Sequence, residues 1–276
     1  MTVATITLDE IVHRYDTLLL DAYGVLVTSA GALPGAAAFT RRLKAARKPF
    51  FILTNDASKL PQTAADRFAG FGLAVDPDDI ITSGSLLPAY FDSHNLGGAS
   101  CVVLGPADSV SYVERAGGRI VGSNESFDVL VVADEAGYPL LETVDAVLSS
   151  VCRSLDRGRS VQFVLPNPDL LYPTGDGGVG LAAGSIALML EAALEARYPH
   201  SHHRFARLGK PHGAIFNEAL RRSGSRNMVM IGDQLETDIA GAAAFGIDSA
   251  WITSPVTTHA PLAGDVRPTF RLLSLD

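Results

Sequence analysis

Short apolar runs recur along the chain, and each ends in a polar residue, a glycine or a turn former. They are Leu18–Leu20 before Asp21, Phe50–Leu53 before Thr54 and Asn55, Cys101–Leu104 before Gly105, and Val129–Val132 before Ala133 and Asp134. Further on come Val161–Leu165 before Pro166 and Asn167, Met228–Ile231 before Gly232 and Asp233, and Ser249–Ile252. Runs without polar alternation are what strands buried on both faces look like. Between them lie segments of helical periodicity: Pro34–Arg47, Gln62–Phe71, Ser109–Ala116, Leu140–Leu155, Gly184–Ala196, His212–Arg222 and Glu236–Phe245. Strand and helix in alternation predict an α/β fold built on a doubly wound parallel sheet. In such sheets ligands bind at the carboxyl ends of the strands. Asp21, Thr54, Asn55 and Asp233 all fall there.

A chain of 276 residues exceeds one typical core, so two domains are expected. One boundary falls near Ser83–Pro88, before a new strand–helix series. The other lies in Tyr198–Arg204, a stretch of Pro, Ser and His. The expected organisation is a core of residues 1–85 and 204–276 with an α/β domain, 86–203, inserted into it.

The formal net charge of -8 gives the chain no electrostatic reason to seek nucleic acid or anionic membrane. It can still hold a phosphate locally, with helix N-termini, one lysine and a metal. Two cysteines, Cys101 and Cys152, sit in apolar runs and read as buried thiols in a reducing cytoplasm. No signal peptide is legible, and the longest uncharged stretch, Ala22–Thr40, is broken by Pro34 and by glycines, which argues against a membrane span.

Four short motifs carry candidate chemistry. They are Asp21-Ala22-Tyr23-Gly24-Val25, Leu53-Thr54-Asn55-Asp56, Gly209-Lys210-Pro211, in which Lys210 opens a helix, and Gly232-Asp233-Gln234-Leu235-Glu236-Thr237-Asp238. A carboxylate at a strand end can attack phosphorus and form an acyl phosphate. A hydroxyl and an amide at a neighbouring strand end can donate to phosphoryl oxygens, and a lysine can neutralise developing charge. A second carboxylate at a third strand end can hold Mg²⁺ together with the first.

The order and spacing of these motifs resemble the haloacid dehalogenase superfamily, and within it the NagD-like class of sugar and aryl phosphatases that carry a large α/β cap between the second and third motifs. Leu33-Pro34-Gly35, Asn167-Pro168-Asp169 and the glycine-rich run Gly175–Ser185 also match that class. The resemblance implies a Rossmann-like core, an inserted cap that sets specificity, a Mg²⁺ cofactor and a small phosphorylated metabolite as substrate. It implies Asp21 as nucleophile and metal ligand, Thr54 and Asn55 on the transferring phosphoryl group, and Lys210 bridging phosphate and nucleophile. Asp233 becomes a metal ligand, the backbone carbonyl of Tyr23 another, and Asp238 a support for the metal or for Lys210. Asn167 and Asp169 become substrate contacts from the cap. Capped proteins of this kind often pair through their caps, so a homodimer is a further expectation.

One position departs from the pattern. Phosphatases of the family carry Asp-x-Asp in the first motif, where the second acid protonates the leaving group and then activates water. Here that position is Tyr23. Loss of such general acid–base help costs about 10²–10⁴-fold. Two alternatives therefore stay open. One is a phosphate-ligand binder that has lost turnover. The other is a metal-independent 2-haloacid dehalogenase, whose first motif Asp-Ala-Tyr-Gly resembles. The intact Gly232-Asp233 speaks against the latter, because a bare acidic pair repels a carboxylate substrate.

Several residues admit ordinary structural readings. Asp56 reads equally as a turn former, and Asp238 as the cap of a following helix. Asn167 and Asp169 can form a turn around Pro168, and the glycine-rich run can serve close backbone packing. His200, His202 and His203 lack matched ligand partners and read as a solvated loop. Trp251, in an apolar strand, reads as core.

Overall fold

The computed structural model describes residues 3–174, 177–253 and 266–275, so Gly175 of the glycine-rich run lies outside the described residues. The chain divides into two compact units. The first comprises residues 1–54, 61–82 and 210–276, and the second comprises residues 55–60 and 83–209.

The first unit is built on a seven-stranded sheet whose neighbouring strands all run parallel. From edge to edge the strands are Ala4–Ile6, Phe270–Leu272, Asp248–Ile252, Met228–Gly232, Thr17–Asp21, Phe50–Thr54 and Ile80–Thr82. Every residue of Thr17–Asp21 and of Met228–Gly232 is buried, as their unbroken apolar character requires. These two central strands and Phe50–Thr54 are neighbours, so Asp21, Thr54 and Asp233 emerge at adjacent carboxyl ends. Crossover helices run over Ala36–Ala45, Pro61–Gly70 and Gly213–Ser223. After Asp21 the chain makes a small antiparallel hairpin, Val27–Thr28 against Gly31–Ala32.

The three-residue strands Ala4–Ile6, Ile80–Thr82 and Phe270–Leu272 are absent from the sequence expectation. They are too short to show a periodicity, and two of them close the sheet at its edges. The helix expected over Glu236–Phe245 is also modified. Leu235–Ile239 forms a widened, π-type turn, and the α-helix proper is Ala240–Phe245.

The second unit has its own parallel five-stranded sheet, in the order Ala206–Arg207, Gln162–Leu165, Val129–Val132, Ser100–Leu104, Arg119–Ile120. Helices Ala107–Arg115, Leu140–Leu155 and Ala183–Arg197 accompany it. A separate ribbon pairs Leu171–Pro173 with Val179–Leu181. Leu171, Val179 and Leu181 of that ribbon are exposed, as are Leu188 and Met189 of the helix that follows it.

The divisions fall at Thr82–Ser83 and Gly209–Lys210, not at 85/86 and 203/204. Residues 206–207 form an edge strand of the second sheet, so the chain completes that sheet before it leaves. The segment 55–60 also goes with the second unit, because its backbone is bonded there. Ser109 donates to the Ala57 carbonyl at 2.8 Å, Tyr112 donates to the Lys59 carbonyl at 2.6 Å, and the Leu60 N–H donates to Asp108 at 2.9 Å. Cys101 is buried, with burial pushing its thiol up to about 11, whereas Cys152 is half-buried, contrary to expectation. Among the described residues no helix is long and apolar enough to cross a membrane.

Candidate active site

Asp21 ends one of the two central strands of the first sheet and is 5% exposed. Its Oδ1 accepts the backbone N–H of Ala22 at 2.7 Å and the Lys210 ammonium at 2.6 Å. Lys210 is itself 3% exposed and donates with the same ammonium to Asp238 at 2.7 Å. Lys210 does not open the following helix, which begins at Gly213 with His212 as its cap. It lies ahead of that helix, directed into the carboxylates.

Asp238 does not cap the helix that follows it. It is fully buried within the widened turn, and its Oδ2 accepts the Gln234 N–H at 3.2 Å while Oδ1 holds Lys210. Asp233 is also buried, and Asp21, Asp233 and Asp238 bring carboxylate oxygens within 4.8 Å of one another. Three buried carboxylates against one ammonium leave excess negative charge in a desolvated place, which an oxygen-preferring dication offsets. The donor set fits Mg²⁺ in hardness, in charge and in the small number of protein oxygens that ion uses. The electrostatics agree. Burial and the neighbouring Asp238 push Asp21 well above the carboxylate range, against the opposing pull of Lys210, and Asp233 adds to the rise. Burial by itself would lower the Lys210 ammonium, but Asp21 and Asp238 hold it above its ordinary value.

Glycines permit this crowding. A Cβ on Gly24, which has φ of +90°, would stand 2.2 Å from the Asp233 carboxylate, so the backbone just after Tyr23 comes close to Asp233. A Cβ on Gly232 would meet Asp238 at 2.3 Å. Trp251 is not plain core. It is half-buried, and its indole N–H donates to the Asp233 backbone carbonyl at 3.0 Å from the neighbouring strand. The pairing of Gly232 with Trp251 in the parallel register sets up this bond. Nothing in the local sequence signals it.

Tyr23 forms a bridge to Val27, and its hydroxyl accepts the Ser29 N–H at 3.2 Å. The phenol is thus tied to the turn of the hairpin. Thr54 ends its strand opposite Thr82 in the register.

Asn55, Asn167 and Asp169 meet in the second unit. The Asn55 amide donates to Asp169 Oδ1 at 2.7 Å, and the Asp169 N–H donates to Asn167 Oδ1 at 3.1 Å, a turn around Pro168. Gly184 packs so closely on this turn that a Cβ there would meet the Pro168 carbonyl at 2.4 Å, which gives the glycine-rich segment a packing role at this point. Asp56 is a turn former. Its Oδ1 accepts both the N–H and the hydroxyl of Ser58 at 2.7 Å, and Oδ2 accepts Lys59 at 3.0 Å. Of the histidines, His203 stacks edge-on against Phe163 and Tyr198, and His202 is exposed. Among the described residues, the acidic trio around Lys210 is the group placed to hold a metal.

Two family models match the chain, a haloacid dehalogenase-like hydrolase model over residues 18–119 and a second model of the same kind over residues 207–276, together more than half its length. A dihydroxyacetone phosphatase of Corynebacterium glutamicum is 28% identical over 88% of this chain and 83% of its own. A haloacid dehalogenase superfamily structure from Cytophaga hutchinsonii is 28% identical, superposes with a TM-score of 0.82 and is covered to 99%, as is this chain. The structure of a glycerol phosphate phosphatase from Mycobacterium tuberculosis, in complex with magnesium, is 25% identical with a TM-score of 0.80, over 96% of this chain and 77% of that one. Sequence match and fold agree: the chain belongs to the haloacid dehalogenase-like hydrolases.

Proposed function

We propose that the protein is a Mg²⁺-dependent phosphatase of small phosphorylated metabolites that works through an aspartyl-phosphate on Asp21. The observation that carries this reading is the buried Lys210 ammonium shared between Asp21 and Asp238, with Asp233 in the same cluster. Relatives named for dihydroxyacetone and glycerol phosphate support a substrate of sugar or polyol size.

The residues divide the work as follows. Lys210 and the Ala22 N–H fix Asp21 through Oδ1, which leaves Oδ2 to attack phosphorus. The bond from phosphorus to the leaving oxygen breaks as the Asp21–phosphorus bond forms. Water then attacks the acyl phosphate, releasing phosphate and restoring the carboxylate. Thr54 and Asn55 donate to the phosphoryl oxygens, and Lys210 neutralises charge that develops on them. Asp21, Asp233 and the Tyr23 carbonyl would hold Mg²⁺, with Asp238 supporting through Lys210. When bound, the ion supplies charge neutralisation at the phosphoryl group.

Tyr23 stands where an acid would protonate the leaving group. Esters whose leaving group departs unprotonated should therefore be the better substrates. The same observation favours the second reading, a binder without turnover. Three buried carboxylates disfavour the anionic substrate of a dehalogenase.

The test is phosphate release from p-nitrophenyl phosphate, dihydroxyacetone phosphate and glycerol phosphate, with Mg²⁺ and with EDTA. Release that requires Mg²⁺ supports the reading, and release indifferent to EDTA sinks it. Phosphate-dependent stabilisation with no release from any ester selects the silent binder.

A further inference from the structure

Asp169 was expected to touch substrate, but its carboxylate is engaged with a residue of the phosphate-binding motif. The Asn55 amide nitrogen donates to Asp169 Oδ1 at 2.7 Å, and Asn55 is 5% exposed. A side-chain amide has two nearly isosteric orientations, with nitrogen and oxygen exchanged. An ionised carboxylate only accepts, so Asp169 admits the orientation that presents nitrogen to it. It thereby also fixes where Asn55 Oδ1 points. Gly209 packs on that side, where a Cβ would fall 2.4 Å from Asn55 Oδ1. The Asn55 backbone is held as well, because Ser83 donates to its carbonyl at 2.6 Å.

Asp169 is in turn built into a fixed frame. Its N–H donates to Asn167 Oδ1 at 3.1 Å, and its carbonyl accepts the Gly184 N–H at 2.9 Å. A Cβ at Gly184 would meet that carbonyl at 2.6 Å. Pro168 restricts the backbone between the two acceptors. Such a frame suits the orientation of one neighbouring group better than the recognition of varied substrates.

We infer that Asp169 is a positioning residue: it acts on phosphoryl transfer through Asn55, by fixing which end of the amide is presented, and does not contact substrate. This rests on the phosphatase reading above, in which Asn55 donates to the phosphoryl group.

The experiment is a double-mutant cycle on the full chain with p-nitrophenyl phosphate and Mg²⁺, comparing wild type, Asp169→Ala, Asn55→Ala and the double variant. Inhibition by inorganic phosphate and the melting temperature are read for each. Asp169→Ala should lower kcat/KM by about 10–100-fold, chiefly in kcat. In the Asn55→Ala background the same substitution should change kcat/KM by less than threefold. Asp169→Asn keeps the size of the side chain but pairs with either end of the Asn55 amide, so it should stay impaired in kcat at a melting temperature close to wild type, whereas a purely structural role would be restored by it. Should the alanine variant fail to fold, Asp169→Ser completes the same cycle. An undiminished loss in the Asn55→Ala background overturns the inference, as does Asn55→Ala without effect. A wild type that turns over no phosphate ester overturns the phosphatase reading and this inference with it. An active wild type with an additive cycle overturns this inference alone.

Discussion

Lys210 holds Asp21 from 2.6 Å, and both side chains are almost wholly buried. The ammonium offsets part of a repulsion it did not create, since Asp238 and Asp233 lie in the same cluster. Removing Lys210 while keeping the carboxylates leaves uncompensated charge in the core, which costs about 3–5 kcal/mol when a buried pair is broken. Lys210→Met is expected to lower the melting temperature sharply in EDTA and to recover part of it in Mg²⁺. Asp21→Asn is expected to do the reverse in EDTA, raising the melting temperature, while reducing turnover by at least about 10³-fold. Thermal denaturation of both variants, with and without Mg²⁺, checks the pair. A destabilised Asp21→Asn would show that the Lys210 bond outweighs the repulsion.

The elevated Asp21 carboxyl fixes the sign of a pH effect. Burial and Asp238 raise its folded pKa above the unfolded value, Lys210 opposing. Its contribution to stability is therefore fully present below the ordinary carboxylate pKa of about 3.9 and is lost as pH rises through the folded value. A dication needs the deprotonated form, so Mg²⁺ binding must expel that proton. Without metal, stability should fall across this window as pH rises, and Mg²⁺ should reverse the fall. The Mg²⁺ activation constant should increase as pH drops below the raised value. Activation constants measured across pH 5 to 8 check this, and a flat profile would mean that Asp21 is ionised throughout.

The parts of this site visible in the sequence are those that sit where regular structure ends. Asp21, Thr54 and Asp233 follow apolar runs long enough to be strands, and their adjacency follows from parallel winding. What stayed hidden depends on register between distant segments. The Trp251 indole reaches the Asp233 carbonyl because their strands are aligned as neighbours, and Asp169 finds Asn55 across 114 positions. Domain limits were displaced for a related reason. Whether 206–209 and 55–60 belong to one unit or the other is set by strand pairing and side-chain bonds, which local composition does not encode.

Trp251 offers a test of such a hidden contact. Phenylalanine retains most of the aromatic surface but lacks the N–H that meets Asp233. Partners behind a metal ligand typically contribute about 10–100-fold in metal affinity or activity. Trp251→Phe should raise the Mg²⁺ activation constant by about tenfold and leave kcat at saturating Mg²⁺ nearly unchanged. An activation constant within twofold of wild type would reduce Trp251 to packing.

Pairing of two copies through the inserted domain would cover exposed apolar side chains such as Leu171, Val179 and Leu181 of the ribbon. Sedimentation velocity at micromolar concentration is expected to give a dimer that Leu171→Asp with Leu181→Asp converts to monomer. A monomeric wild type removes the expectation.

In the proposed mechanism Tyr23 occupies the place of the group that would protonate the leaving oxygen. Its hydroxyl accepts the Ser29 N–H, and no carboxyl stands at this position to protonate the leaving group and then activate water. Rates on aryl and alkyl phosphates should therefore diverge with leaving-group pKa, because an alkoxide needs a proton and a nitrophenolate does not. Tyr23→Asp restores an acid at the position and should raise kcat/KM for glycerol phosphate by about 10²-fold, with a much smaller gain for p-nitrophenyl phosphate. Tyr23→Phe separates the remaining possibilities. If the phenol donates a proton, Phe lowers the alkyl rate and spares the aryl one. If the phenol only ties the hairpin, Phe affects both alike. Equal rates of wild type and Tyr23→Asp on glycerol phosphate would show that leaving-group protonation does not limit turnover, and would move the search for the slow step to the attack of water on the aspartyl-phosphate.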